Sequence, residues 1–414
     1  MMLKKGNSKK DIFLLLGGNK LNYGIYKKFH DVGYKVYVID WNKNPDIIGD
    51  KHYQIDVKDA EKILSTLKAN KELQRVKFAY SSIDLAVPSV ANINKAIGLK
   101  VASNEAIKNV TSKSMMVYQW NKHNLLNRIS KTYRSFDEDI IELNDKMDLI
   151  IKPDNSASSR GITILLQKSN IKDIEKAFVK ALSEASDKKV VVEEFVDGTE
   201  FTVEMLGDNY GNVSVYAISK KQHTKNIKNN KVAVKLHYNS IAQELQEKIA
   251  KYAIACYKSL GLKSSLGHLE IIMKKDGSFT PVEIGARSSG FIASDLVDIV
   301  SDSNFLFDTI EAQSGKCLEN GLHKQGQFSS LYFFYDFPQG SKIVVEKSIC
   351  DFLDKNIISK YFDRSKLKIG NVFSNITNDN ERIGYEILKG PKKLMTESYI
   401  ALKEKEFISI VTEE

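Results

Sequence analysis

The sequence predicts an α/β domain followed by α+β lobes, and three observations carry that expectation. Short apolar runs alternate with amphipathic stretches through the first hundred residues, the pattern of βαβ units around a parallel sheet. From Val190 onward, strand-like runs follow one another across tight turns. The composition is that of a globular chain, with 42% apolar and 27% charged residues. Its 414 residues suffice for roughly two to three domains. Six prolines and 23 glycines argue against a collagen-like or linker-dominated chain.

The elements follow in order. Four lysines precede Ile12–Leu16 and mimic a signal peptide, but the run stops at Gly17-Gly18-Asn19-Lys20 with no small-x-small cleavage site. It reads as the first strand, and the protein as cytoplasmic. Lys35–Asp40 is the second strand, Val76–Tyr80 the third, and helices are expected near 22–32, 57–73 and 84–97. Right-handed crossovers then make residues 1–105 a doubly wound parallel-sheet domain. Residues 106–188 carry a helix opening near Thr111, strands at 149–152 and 161–166 joined by a Ser-rich loop, and a charged helix at 171–186. Residues 189–324 carry strands at 190–195, 199–206 and 213–219, with a hairpin turn at 208–212. A helix over 241–260 follows, with apolar residues at 241, 245, 249, 252, 253, 256 and 260, close to helical spacing. Residues 325–414 read as a small α+β lobe.

Charge and cysteine content narrow the function. The net charge is +9, yet all but seven of the 61 cationic residues are lysine, spread along the whole length. Nucleic-acid surfaces cluster their cations and recruit Arg, so no nucleic-acid partner is expected, although an anionic ligand is favoured. No apolar run approaches a membrane span. Cys256, Cys317 and Cys350 form no C-x-x-C, which suits a reducing compartment and supplies neither a disulfide framework nor a zinc site. Cys256 falls on a helical apolar stripe and reads as a buried thiol.

No P-loop, H-E-x-x-H or G-x-S-x-G is present. Gly17-Gly18-Asn19 and Asp40 fall where a dinucleotide site would place its turn and ribose acid, but G-x-G-x-x-G itself is missing.

Three segments carry chemistry. In His268-Leu-Glu270 … Asp276-Gly277 … Glu283-Ile-Gly285-Ala-Arg287, Asp-Gly between alternating runs signals a hairpin. With a two-residue loop Lys275 faces Ser278, Glu270 faces Glu283, and His268 faces Gly285. Two carboxylates with Cβ atoms about 4.5–5.5 Å apart repel and call for a counter-charge. Mg²⁺, which binds hard oxygens together with substrate phosphates, fits that need. A three-residue loop would turn the acids to opposite faces, and two solvated glutamates are the bland alternative. In Lys152-Pro-Asp-Asn-Ser-Ala-Ser158-Ser159-Arg160-Gly161, a lysine ends a strand ahead of a small-residue loop whose N–H groups suit phosphate oxygens. Taken alone, it is also an ordinary Ser-rich turn. In Val192-Glu193-Glu194-Phe195-Val196-Asp-Gly198-Thr-Glu200, a strand ends in acids and a Gly turn leads into a new strand. Such a hinge could offer backbone donors and acceptors to a base, though an ordinary hairpin looks the same. Lys220, Lys221 and His223 follow a core strand, where a solvated turn is the simpler reading.

In this order the segments resemble the ATP-grasp superfamily, in particular its carboxylate-amine (amino-acid) ligases and its carbamoyl-phosphate-synthase-like and biotin-carboxylase-like enzymes. The resemblance covers about residues 1–315, and the tail looks like the reduced C-terminal lobe of such enzymes. It implies an ATP-grasp fold that binds ATP between two α+β lobes. Carried over residue by residue, Lys113 and Lys152 match the phosphate lysines, and Ser156 to Gly161, with Ser158, Ser159 and Arg160, match the phosphate lid. Glu193, Glu194, Phe195 and Val196 fall at the adenine hinge, and Glu200 near the ribose. Glu270 and Glu283 match the magnesium carboxylates. Arg287 matches the residue that steadies the acyl phosphate and, with Lys152, is assigned to catalysis. Many members carry Asn two residues after the second Glu, where this chain has Gly285. One or two Mg²⁺ ions are therefore expected, with Mn²⁺ as a substitute.

The implied activity joins a small-molecule carboxylate to an amine and releases ADP and phosphate. A bicarbonate-using carboxylase and an ATP-binding module without turnover are the alternatives. A homodimer is compatible with this reading.

Overall fold

The computed structural model describes residues 11–156, 160–224, 232–290, 293–333, 337, 339–344, 357–362, 369–374, 376, 381–382 and 384–413. The first domain runs β1 (Ile12–Leu16), α1 (Tyr23–Asp31), β2 (Lys35–Asp40), β3 (Lys51–Gln54), α2 (Ala60–Ala69), β4 (Val76–Tyr80) and α3 (Val87–Ala96). Its four strands are parallel in the order β3-β2-β1-β4. All five residues of β1 are fully buried because both faces of the sheet are covered, which is why the run is continuously apolar. Ile12, Leu14 and Leu16 pack with Ile63 and Leu67 of α2 and Ile93 of α3. Phe13 and Leu15 face the other way, into a core shared with Tyr216, Leu236, Val297 and Phe305 of a later lobe. Strand β3 was not expected. Lys51-His-Tyr-Gln has no apolar run and lies half-exposed at the sheet edge. The strand order reverses between β1 and β4, so a crevice opens past their carboxyl ends, where Gly17-Gly18 and Ser81–Asp84 lie.

The second unit contains α4 (Asn104–Val110), α5 (Lys113–Lys122), β5 (Ser130–Tyr133), α6 (Asp139–Lys146), β6 (Leu149–Pro153), β7 (Thr163–Leu165), α7 (Ile171–Glu184) and β8 (Val190–Glu194). The strands form an antiparallel sheet in the order β5-β8-β6-β7. On α7, Ile174, Ala177, Phe178 and Ala181 make one buried stripe, packed on Leu149, Ile151, Val190 and Val192. Strand alternation then turns Lys152 and Glu193 to the opposite face.

The third unit contains β9 (Thr199–Gly207), β10 (Val213–His223), β11 (Ala233–Tyr238), α8 (Gln243–Ser259), β12 (Leu266–Met273), β13 (Phe279–Gly285), α9 (Ala293–Ser301), α10 (Phe305–Gln313), β14 (Gly321–Leu322) and β15 (Phe328–Phe333). Its sheet runs β13-β12-β9-β10-β11-β15 and continues through strands Gly384–Pro391 and Ile357–Phe362. The sheet crosses residue 324 without a break, because β11 pairs with β15. Cys256 on α8 is buried, as its stripe implied, and burial pushes its thiol up to about 12. Cys350 lies outside the described residues. No helix among the described residues is long and apolar enough to cross a membrane.

The β12–β13 hairpin departs from expectation near its turn and returns to it at the acids. Lys274 N donates to Ser278 O at 2.8 Å, so the loop is the three residues Lys275-Asp276-Gly277. Asp276 Oδ1 accepts from the Ser278 amide, and Gly277 takes φ +81°, the left-handed position of a three-residue turn. That slip alone would separate the acids. A bulge beside Pro281, which has no N–H to give to the ladder, inserts Val282 and shifts the register back. Glu270 therefore faces Glu283 and His268 faces Gly285, as expected, by way of two offsetting irregularities.

Gly198, at the turn into β9, has no room for a side chain. A Cβ there would overlap the Met273 carbonyl oxygen and come within 2.7 Å of Ile272 Cγ2. Gly277 has open space, and only its φ resists substitution. Gly198→Ala should therefore cost roughly 1–3 kcal/mol through overpacking. Gly277→Ala should cost about 1–2 kcal/mol in backbone strain alone. Thermal melts of both variants check this, and an unaffected Gly198→Ala protein would remove the close-packing argument.

Candidate active site

The inner face of the second sheet buries a charge cluster. Glu193 Oε1 accepts from Arg128 at 2.9 Å and Ser130 Oγ at 3.2 Å, while Oε2 pairs with Lys152. Burial opposes ionisation of Glu193, but Arg128 and Lys152 outweigh it and hold the carboxyl at about 2. Burial, aided by Arg128, lowers the Lys152 pKa against the pull of Glu193. Glu193 is thus occupied at both oxygens in orienting two cations. Arg128 also donates to Thr280 Oγ1 at 2.9 Å and to the Pro281 carbonyl, tying this sheet to β13.

Lys113 is the first residue of α5, and Asp154 holds that helix end. The Asp154 carboxylate accepts from Ser114 N at 2.6 Å and Ser112 Oγ at 2.7 Å, and its carbonyl accepts from Lys113 N at 3.0 Å. Asp154 lies two residues past Lys152, so one buried carboxylate sets the spacing of both lysines. Lys113 Nζ donates to Ser156 O at 3.0 Å and pairs with Glu283 Oε2 at 3.3 Å.

On the third sheet, cations of β10 and β12 pair with acids of β9 and β12. Lys221 Nζ lies 2.6 Å from Glu200 Oε1 and 2.8 Å from Glu270 Oε1. His223 Nε2 lies 3.3 Å from Glu200 Oε2. His268 Nδ1 meets Glu204 Oε1 at 2.6 Å, and its Nε2 lies 3.7 Å from Glu270. Burial opposes protonation of His268, but Glu204 and Glu270 raise its pKa to about 9. The Glu270 carboxyl lies well below the usual range because Lys221 and His268 overcome its burial. Lys220, Lys221 and His223 do not form a solvated turn. They continue β10, with Lys221 and His223 paired inward to acids and Lys220 paired to Glu397.

Glu270 and Glu283 stand opposite each other, each paired to a lysine. Among the described residues no three His, Cys, Asp or Glu side chains converge as an all-protein metal cage requires. Two opposed carboxylates do fit an ion that completes its shell with phosphate oxygens and water. Arg287 Nη2 lies 2.6 Å from Asp84 Oδ2 of the first domain, and Nη1 donates to Ser288 O at 2.9 Å. A Cβ on Gly285 would sit 3.0 Å from Asp84 Oδ1 and 3.2 Å from Arg287 Cγ, so that strand position has little room for Asn.

The hinge is partly engaged. Glu194 N donates to Ile129 O and Phe195 N to Asp148 O, while Val196 N meets no acceptor among the described residues. Of the lid, Ser158 and Ser159 lie outside the described residues, Arg160 is exposed, and Gly161 takes φ +74° against Glu184. Asp40, weighed as a ribose acid, accepts from the Gly18 and Asn42 amides and staples its own loop. The sequence reading missed Arg128, Asp154 and Asp84. Only Asp84 carried a signal, since it falls just past the carboxyl end of a parallel strand, where such sheets place ligands.

Two facing lobes with cations on one and paired acids on the other define an ATP-grasp fold. Residues 145–295 match the ATP-grasp domain family, and the chain carries such a domain. A D-alanine–D-alanine ligase of Cupriavidus pinatubonensis (strain JMP 134 / LMG 1197) is 24% identical over 188 residues, 44% of this chain and 55% of that protein. The chain spans about half or less of the length of the curated relatives it matches here. Among solved structures, an L-amino acid ligase from Bacillus licheniformis superposes with TM-score 0.72 at 16% identity, covering 97% of this chain and 98% of that one. A biotin carboxylase from Campylobacter jejuni gives TM-score 0.66 at 14% identity, covering 96% and 94%.

His268 carries a pH signature. Its raised folded-state pKa means that its proton contributes stability fully below the unfolded value near 6.5, and that this is lost as pH rises through about 9. The stability advantage of the parent over His268→Gln, from urea melts at pH 6, 7.5 and 9.5, should shrink with rising pH. A pH-independent difference would contradict the His268–Glu204 pairing.

Proposed function

We propose that this protein is an ATP-dependent ligase that activates a carboxylate as an acyl phosphate and passes it to an amine. The observation that carries the reading is the meeting of Lys113 and Glu283. A phosphate-type lysine from one lobe touches one of two opposed acids from the other, so a triphosphate between the lobes would contact both. In the first step a carboxylate oxygen bonds to the γ-phosphorus as the γ–β bridging bond breaks and ADP leaves. The amine nitrogen then bonds to the acyl carbon, phosphate departs, and the amine gives up a proton.

Each residue has a place in that sequence. Glu270 and Glu283 would hold Mg²⁺, which when bound neutralises charge on the β- and γ-phosphates. Lys113 and Lys152 offset the same charge from the other lobe, and Arg287 steadies the acyl phosphate. Glu193 and Arg128 keep Lys152 oriented, and Asp154 keeps Lys113 in register with it. The Val196 amide is the hinge donor for a base, and Glu200 lies on the ribose side. The lid from Ser156 to Gly161 would exclude water that would otherwise hydrolyse the acyl phosphate. ADP release that requires both an acid and an amine supports this function; AMP and pyrophosphate as products would refute it. Stimulation by bicarbonate alone would favour the carboxylase alternative, and tight ATP binding without turnover a binding module.

The two acids give a sharper expectation. Glu283→Gln relieves like-charge proximity to Glu270 but also removes the partner of Lys113, so its melting temperature in chelator should differ little from the parent's. It should lose most of the stabilisation that Mg²⁺·ATP gives by binding only the folded state, and Glu270→Gln should likewise lose turnover. Near-parental rates in both at saturating Mg²⁺ would dispose of the catalytic assignment.

A further inference from the structure

Glu283 is joined to the second sheet by more than its contact with Lys113. β13 is the last strand of the third sheet, so its outer edge has no strand to pair with, and the segment between α5 and β5 lies along it. Asn127 Nδ2 donates to Ser278 Oγ at 3.0 Å, its amide donates to Thr280 Oγ1 at 3.4 Å, and its carbonyl accepts from Lys274 Nζ. Arg128, next along, donates through Nη1 to Thr280 Oγ1 at 2.9 Å and to the Pro281 carbonyl. These contacts fall on both irregularities of the hairpin, Asn127 at the three-residue turn and Arg128 at the bulge that inserts Val282. Without that bulge, Val282 would stand opposite Glu270, and Glu283 opposite Leu269 on the core face.

The other end of Arg128 leads to the phosphate lysine. Its Nη2 lies 2.9 Å from Glu193 Oε1, and Glu193 Oε2 holds Lys152. The three side chains are 4% exposed or less. A buried chain of contacts therefore runs from Lys152 through Glu193 and Arg128 to the Pro281 carbonyl, two residues before Glu283. A planar guanidinium with separate Nη1 and Nη2 serves acceptors on two sheets at once. An ammonium, a single nitrogen on a flexible stem, does not present that fork. Glu193 already has a second cation in Lys152, so what Arg128 adds is the link to β13.

Resting on the ligase reading above, we propose that Arg128 is a positioning residue that couples Lys152 to Glu283, so that nucleotide phosphates and Mg²⁺ bind cooperatively. Lys113 reaches Glu283 directly; Lys152 is linked to it through Arg128 and the bulge at Val282.

The test is the factor by which Mg²⁺ tightens ATP, from calorimetric titrations of the full chain with excess Mg²⁺ and with chelator. Arg128→Lys keeps a cation beside Glu193 but loses the fork. It should shrink the factor at least about tenfold, with the Kd for ATP in chelator held within about twofold of the parent's. Thr280→Val removes one acceptor of Arg128 at a fully buried position and leaves the Arg128–Glu193 bond intact. It should also shrink the factor, and should add little when residue 128 is already substituted, because both changes break one link. A purely structural Arg128 would lower the melting temperature in chelator and leave the factor unchanged.

An unchanged factor in Arg128→Lys overturns the inference, as does an equal effect of Thr280→Val on both backgrounds. Neither result bears on acid- and amine-dependent ADP release by the parent, which tests the ligase itself. If Mg²⁺ does not tighten ATP in the parent, the metal assignment of Glu270 and Glu283 fails and the inference goes with it. Should Arg128→Lys not fold, Thr280→Val decides alone, and an unchanged factor there overturns the coupling.

Discussion

Burying a carboxylate is costly unless a cation is buried with it, and the arrangement of this site follows from how that cost is offset. Glu193 is matched by Arg128 and Lys152, Glu200 and Glu270 by Lys221, and Glu204 by His268, while the more exposed Glu283 and Asp84 pair with the largely buried Lys113 and Arg287. Two of these pairs, Glu283–Lys113 and Asp84–Arg287, join different sheets or domains and so help to hold the lobes in register. On the proposed function, an incoming triphosphate would replace Glu283 as the anion beside Lys113.

The first domain is more than an appendage to this arrangement. Phe13 and Leu15 share a core with Tyr216 and Phe305, and Lys28 of α1 pairs with Asp298 at 2.5 Å on the third unit. That packing carries the carboxyl end of β4 to Arg287. The apolar contact provides the energy and is indifferent to orientation; the ion pairs at its rim select one relative placement.

Much of the framework was legible because burial leaves a local trace. Strands β1, β2 and β4 end where their apolar runs end, since both faces of a parallel sheet must be apolar. β3 was illegible for the complementary reason, as an exposed edge strand needs no such run. The opposed acids were legible only at the level of the hairpin. The loop carries one more residue than expected and the bulge at Val282 offsets it, so the right pairing came through the wrong turn. Lys221 was misread as surface because a lysine at the end of an apolar run looks solvated until the acids on neighbouring strands are known.

By itself, then, the sequence determined most of the segments that become strands and helices, and it singled out residue types as candidates for phosphate and metal, because periodicity and strand-end chemistry are properties of a dozen consecutive residues. Only the tertiary structure decided the partners. Arg128 and Glu193 are 65 residues apart, Lys221 and Glu270 are 49 apart, and Asp84 and Arg287 are 203 apart. No local pattern specifies such pairs. They are chosen when apolar packing brings the lobes together and each buried charge must find the opposite one within reach.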